Sequence, residues 1–423
     1  MNNPTGQPVN GPDAPSPLYN YIYWSTLIGL FSSSFYFITV PFHVRLFDAI
    51  ILVNLLLMIQ SIDFARIAKW IPCLILYLAM SGGIGIFNGS DTVTQVAKEF
   101  SGISVSLLYF YYFFEMIGND FERAFANYAK IAFWFAVIAL PVWVAMCIFH
   151  HGYVRLQGLT SEPGAFCEIV LPAYYWYAHH YFTSRKHGGK VLVFTLAIIL
   201  SSSSLGYLCV AFGVMLFLSA RIRHFVAVPF IVGGLLALAY TASGDFRMRA
   251  DDTLLALSTQ DVSNSNLSTF ALISNVFVTQ QIIKESPLIG KGLGSYPISH
   301  ARFIGDVAGI ESHMGESWED INATEAASLT LRTLSELGIL GFSGILVFIV
   351  YFRTGGSGPY AAISSAILVS YFLKLIRNGN YFPPEQFFFV FIYILTHQHH
   401  RHRIRSTISR ALPRSSMRQL EYS

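Results

Sequence analysis

The 423-residue chain is 53% hydrophobic and 12% charged, with a mean hydropathy of +0.50. That is more apolar side chain than a soluble core of this length takes in, so a soluble fold is excluded and an integral membrane protein is expected. The formal net charge is only +3, and no nucleic-acid partner is expected.

Residues 1–18 (MNNPTGQPVNGPDAPSPL) are polar, rich in Pro, Gly and Asn, and lack the basic start of a cleavable signal, so they read as a short disordered cytoplasmic tail. Beyond them, apolar stretches of roughly 15–22 residues recur, the length a helix needs to cross about 30 Å of hydrocarbon. Barrel strands would instead alternate over about ten residues. The expected fold class is all-α: a polytopic membrane helix bundle of about twelve spans, at 20–40, 46–62, 68–87, 99–117, 130–149, 164–182, 190–203, 206–220, 225–241, 336–352, 360–376 and 382–396. The seventh and eighth are short and separated only by S-S-S-S-L-G-Y, which leaves a kinked or re-entrant pair open. Cys73, Cys147, Cys167 and Cys209 have no metal-ligand spacing and read as packing residues.

Basic residues near helix ends mark the cytoplasmic side. An N-terminus inside the cell places Arg66, Lys69, Arg123, Lys130, Arg185, Lys186, Lys190, Arg221, Arg223, Arg353 and the arginines after residue 400 in the cytoplasm. Both termini are then cytoplasmic. The chain divides into a bundle over 19–241, a large outer loop over 242–325, further spans over 326–397 and a basic tail over 398–423 suited to anionic lipid headgroups. A loop this long is expected to have structure of its own, and an apolar helical pattern runs through 270–284. The stretch 151–163 faces the same side as this loop.

Four short stretches then carry a resemblance: R-L-Q-G-L-x-x-E-P-G (Arg155 to Gly164), S-S-S-S-L-G-Y (Ser201 to Tyr207), K-E-S-P-L-I-G-K-G-L-G-S-Y (Lys284 to Tyr296) and S-E-L-G-I-L-G-F (Ser335 to Phe342). Their order around one large outer loop resembles Wzy-type polysaccharide polymerases and O-antigen ligases, most closely the exopolysaccharide polymerase branch, over roughly residues 150–345. The resemblance implies a multi-pass protein of a bacterial inner membrane that joins undecaprenyl-diphosphate-linked oligosaccharide repeat units on the periplasmic face. It needs no cofactor or metal, and implies a chain-length regulator and a flippase of the same pathway as partners. In the ligases a catalytic histidine precedes the Glu of the E-x-G motif by nine residues; that position here is Ala327, which points to polymerase over ligase. An arginine that often follows the serine run is Leu205, and one usually upstream of the Pro-Leu-x-Gly motif falls among Ser268, Thr269 and apolar residues.

The chemistry asks for cations on a diphosphate leaving group, where arginine's planar fork binds phosphate oxygens in pairs, and for one base to take a proton from the acceptor hydroxyl. Arg155 is the first candidate for the diphosphate, and Glu162 for either the base or the group that orients Arg155. The competing reading has Arg155 snorkelling to the interface and Glu162 capping a helix that starts at Pro163. Glu325 is the alternative base. Arg332, Arg377, Arg302, Tyr296, Tyr381 and Glu168 are candidates for substrate binding, with His300, His313 and Trp318 weaker. Glu325, Ser328 and Arg332 are expected on one face of a helix entering the membrane, with Arg332 and Glu336 able to pair four residues apart. A ligase remains an alternative, as does a transporter or flippase, although no internal repeat is evident and the charges gather at one face rather than mid-bilayer.

Overall fold

The computed structural model describes residues 16–32, 35–38, 44–59, 67–160, 162–203, 206–208, 210, 233–234, 237–238, 240–241, 244–259, 261–263, 265–313, 318–356, 358–381 and 383–411. They fold almost entirely as helix.

Helix α1 (Pro17–Gly29) starts on Ser16, whose hydroxyl accepts from the Tyr19 amide, with Pro17 in the first turn. It stops short of the span expected over 20–40. Ser32 Oγ donates to the Gly29 carbonyl at 2.7 Å, the kind of local bond by which hydroxyls compete with the helix ladder. The chain then forms a small antiparallel hairpin of β1 (Tyr36–Ile38) and β2 (Val44–Arg45), the only strands among the described residues. Next come α2 (Leu46–Met58), α3 (Trp70–Phe87), α4 (Val93–Met116), α5 (Phe121–Phe149), α6 (Pro163–Ser184) and α7 (Gly188–Leu200). Beyond them lie α8 (Gly244–Thr259), α9 (Leu267–Glu285), α10 (Tyr296–Phe303), α11 (Leu329–Tyr351), α12 (Pro359–Ile376) and α13 (Pro384–Ala411).

Among the described residues, α3, α5, α11 and α12 are long and apolar enough to cross a membrane. Helices α2 and α7 are apolar but have only 13 residues each. Helices α4, α6 and α13 have the length but more polar side chains. The spans expected at 206–220 and 225–241 lie largely outside the described residues. The region expected to form the outer loop does have structure of its own, and α9 covers the apolar pattern expected at 270–284. The basic segment expected as a tail from 398 continues α13 as helix to Ala411.

The bundle is knit by an aromatic centre. In the run Tyr109 to Phe114 on α4, every side chain but Tyr111 is buried, so this helix is apolar nearly all round, as a central helix should be. Phe114 stacks on Phe388 and Phe391 of α13, and Tyr128 of α5 meets Phe388 and Phe389. Outward, Trp134 and Ile138 on α5 and Leu340, Val347 and Val350 on α11 are exposed, apolar faces suited to lipid. Helix α6 packs chiefly on α12, with α5 and α7 beside it.

The connections sort to two ends. At one, Leu156 N donates to Leu200 O, Asn378 N to Ala327 O and Ser90 Oγ to Lys291 O. This gathers the turns after α3, α5, α7, α9 and α12. At the other, Tyr360 donates to Glu122 at 2.8 Å and Phe121 meets His399.

Candidate functional site

Helix α6 begins as the sequence indicates, with Glu162 at the extended N-cap position and Pro163 next. The Glu162 side chain makes no capping hydrogen bond, which sets aside capping as its task. Further along α6, Glu168 forms an ion pair with Lys374 in the last turn of α12. Its other carboxylate oxygen accepts from Asn378 Nδ2 at 2.9 Å. Asn378 has φ 68°, a left-handed conformation that Asn tolerates better than most residues. Gly379 follows, seated so closely on the 321–328 turn that a Cβ would fall 1.5 Å from the Glu325 carbonyl oxygen. This close approach brings Glu325 in over α12, where Asn380 Nδ2 lies 3.4 Å from its carboxylate.

Between these elements lies a partly open cavity of about 190 Å³. Arg45 from β2, Lys374 and Arg377 line it with positive charge, and Glu162, Glu168, Glu325 and Glu385 with negative. The sequence reading thus assembles four of its candidates here: Glu162, Glu168, Glu325 and Arg377. It missed Arg45, for which the sequence holds no signal, and Lys374, a lone lysine in the apolar run Y-F-L-K-L-I, a position that is functional by default.

Beside the cavity runs a wider groove of about 520 Å³, walled by Phe246, Leu254, Leu272 and Ile376. Arg155 lines it, with Nε and Nη2 donating to the Ser201 and Ser202 carbonyls at 3.3 and 3.0 Å. The arginine motif and the serine motif are therefore one structural unit. Glu162 and Arg377 line both spaces, forming their common wall.

Arg332 is elsewhere. Helix α11 begins only at Leu329, with Ser328 as its cap, so Glu325 does not share a helical face with Arg332. The expected pair with Glu336 forms at 3.1 Å, but in the core rather than at a surface. Arg332 also meets Glu99 of α4 at 2.8 Å, donates to the Gly379 carbonyl and lies 4.6 Å from the Tyr381 ring centre. Arg332, Glu336 and Glu99 are 1%, 0% and 3% exposed, and none of them lines the cavity or the groove. Tyr381 is buried beneath this cluster. Tyr296 is buried too, its hydroxyl bonded to Asn275, and neither tyrosine offers a face for a sugar. Arg302 is exposed and paired with Glu285 at 2.9 Å, away from both spaces. There Glu285 is held below the usual carboxylate range, first by its bond to Lys291. Trp318 packs on Phe270, and burial pushes His300 down to about 4, a neutral packing histidine.

Compared with known proteins, the chain matches no family model, no curated protein and no solved structure.

Proposed function

We propose that the protein is a membrane glycosyltransferase that polymerises undecaprenyl-diphosphate-linked oligosaccharide repeat units at the periplasmic face of a bacterial inner membrane. The observation that carries the reading is the shared wall: Glu162 and Arg377 stand between a charged cavity and a largely apolar groove, at one end of a helical bundle.

Such a wall suits the chemistry. Diphosphate leaves without protonation if its charge is neutralised, and Arg155 and Arg377 are two cations on one groove. The apolar side chains beyond them suit the first isoprene units of the carrier. Glu162, exposed and with no side-chain capping bond among the described residues, is the base for the acceptor hydroxyl. Glu168 is consumed by Lys374 and Asn378, which leaves Glu325 as the second candidate. Both termini are cytoplasmic in this reading, and a flippase and a chain-length regulator act before and beside the enzyme.

Purified protein supplied with the lipid-linked repeat units should build a ladder of polymer without a nucleotide sugar. Single additions to a lipid A core or protein acceptor, with no ladder, would replace polymerase by ligase. A reporter fused near residue 265 should be active outside the cytoplasm and one near residue 188 inactive.

A further inference from the structure

We infer that the charged cavity is the acceptor-sugar site and that the Lys374–Glu168–Asn378 floor sets which sugar is accepted. The inference rests on the polymerase reading and assigns the two spaces to the two substrates.

At about 190 Å³ the cavity has room for a sugar ring. Lining chemistry comes first. A sugar hydroxyl both donates and accepts, so it is best met by donors and acceptors placed side by side, and charged partners make the stronger bonds. Here Lys374 and Asn378 supply donors, and Glu168 and Glu325 supply acceptors, from three separate chain segments. Phe389 adds one apolar surface for a ring face.

Rigidity comes second. Lys374 is 1% exposed and Glu168 8%, and the ion pair and the Asn378 amide bond hold them in place before any sugar arrives. A preorganised floor of this kind rejects an epimer whose hydroxyl leaves a buried partner unmatched. The groove is lined by the hydroxyls of Ser203, Thr253, Ser268 and Thr269 and by apolar side chains, with no buried ion pair in its lining among the described residues, and its apolar wall fits the lipid-linked donor instead.

The reaction then runs across the shared wall. Glu162 takes the proton of an acceptor hydroxyl at the cavity mouth. That oxygen forms a bond to the donor's anomeric carbon, the bond from this carbon to the phosphate oxygen breaks, and the electron pair leaves with the diphosphate between Arg155 and Arg377. The proton passes from Glu162 to water.

The test separates the substrates. The donor is the undecaprenyl-diphosphate repeat unit, and the acceptor is the same oligosaccharide freed of lipid diphosphate by mild acid and labelled at its reducing end. Asn378→Gly keeps the left-handed backbone and removes the amide, and Ser370→Val fills the cavity floor. Each should raise KM for the labelled acceptor about tenfold or more, the effect of leaving a buried hydrogen-bonding group unmatched, with donor KM changed less than twofold. Both variants should also relax discrimination between epimers of the terminal sugar. If wild-type protein transfers to the labelled acceptor but the variants shift donor KM as much as acceptor KM, or shift neither, the assignment of the cavity is wrong and the polymerase reading stands. If wild-type protein makes no transfer product, the polymerase reading itself fails.

Discussion

Gly290 and Gly338 meet backbone to backbone: a Cβ on Gly290 would lie 2.7 Å from the Gly338 nitrogen, and both residues have positive φ, 67° and 65°. Around this contact the Pro-Leu-Ile-Gly-Lys-Gly stretch clasps the middle of α11. Lys291 N and Gly292 N donate to the Ser335 and Glu336 carbonyls, and Ile339 N and Leu340 N donate to the Pro287 and Leu288 carbonyls, all at 2.9–3.1 Å. Gly338 is the one non-helical residue inside α11, and the backbone groups it releases are paired by the loop instead of being left bare.

Alanine at either glycine is therefore strained twice, by a positive-φ backbone that side chains rarely adopt, at about 1–3 kcal/mol, and by collision with the facing chain. Gly338→Ala would place its Cβ 2.4 Å from the Leu288 carbonyl group. The expected outcome is a clear loss of melting temperature and yield for each single variant. Gly344→Ala, a helical position of α11 where an added Cβ meets nothing within 4 Å among the described residues, should cost less. Intrinsic fluorescence melts in detergent distinguish the three.

The clasp also marks what the sequence discloses. The length and apolar character of α3, α5, α11 and α12 are written in their hydropathy, and the start of α6 in Glu162 and Pro163. What single-chain patterning does not hold is partnership across sequence: that Gly290 needs Gly338, that Arg155 holds Ser201 and Ser202, or that Arg45 reaches the cavity holding Lys374. Burial misled in the other direction. Arg332 and Tyr381 read as site residues because charge and aromatic rings near a membrane end resemble a substrate site, yet they satisfy each other in the core. The missing signal was Glu99, whose position on a helix far earlier in the chain reveals the partner only after folding.

Arg332 carries a stability prediction. Removing it by Arg332→Met leaves Glu99 and Glu336 as buried carboxylates without their cation, a loss of about 3–5 kcal/mol. Little folded protein should be recovered. The triple variant Arg332→Met, Glu99→Leu, Glu336→Gln should recover most of the fold, because the substituted amide retains an acceptor for the Gly294 N–H, which bonds Glu336 at 3.0 Å. Recovery of fold without the charges, measured by size-exclusion profile and melting, would show the cluster to be structural. A folded triple variant with wild-type polymer yield would remove Arg332 from the chemistry altogether.

Asp91, in the turn before α4, gives a pH signature. Burial, with the Glu99 carboxylate adding to it, pushes its carboxyl up to about 6 from an ordinary 3.8, although the Thr92 amide pulls the other way. Because the folded value is raised, the stability linked to this group is fully present below about pH 4 and is lost as pH rises through about 6. Asp91→Asn keeps an acceptor for the Thr92 amide and never ionises. Its melting temperature should equal that of the wild type near pH 4 and exceed it by a growing margin up to about pH 6, then stay level. A margin independent of pH would place the effect elsewhere.

Glu162 and Arg155 offer the decisive pair of substitutions at the site. Glu162 makes no capping bond, so Glu162→Gln should leave the melting temperature unchanged. As a general base its loss should lower the rate of transfer by about 10²–10⁴, with KM for either substrate little altered. Arg155 does two things, because it braces the Ser201 and Ser202 carbonyls while facing the groove. Arg155→Lys keeps charge but not the paired geometry, and a loss of about 10²–10³ in rate is expected where a preorganised electrostatic contact is removed. Its melting temperature should fall modestly as well, since one ammonium cannot hold both carbonyls in the same way. The two variants should therefore differ: Glu162→Gln silent in stability and severe in rate, Arg155→Lys affected in both. If Glu162→Gln polymerises at the wild-type rate, the base is not Glu162, and Glu325→Gln, across the same cavity, becomes the variant that must lose activity.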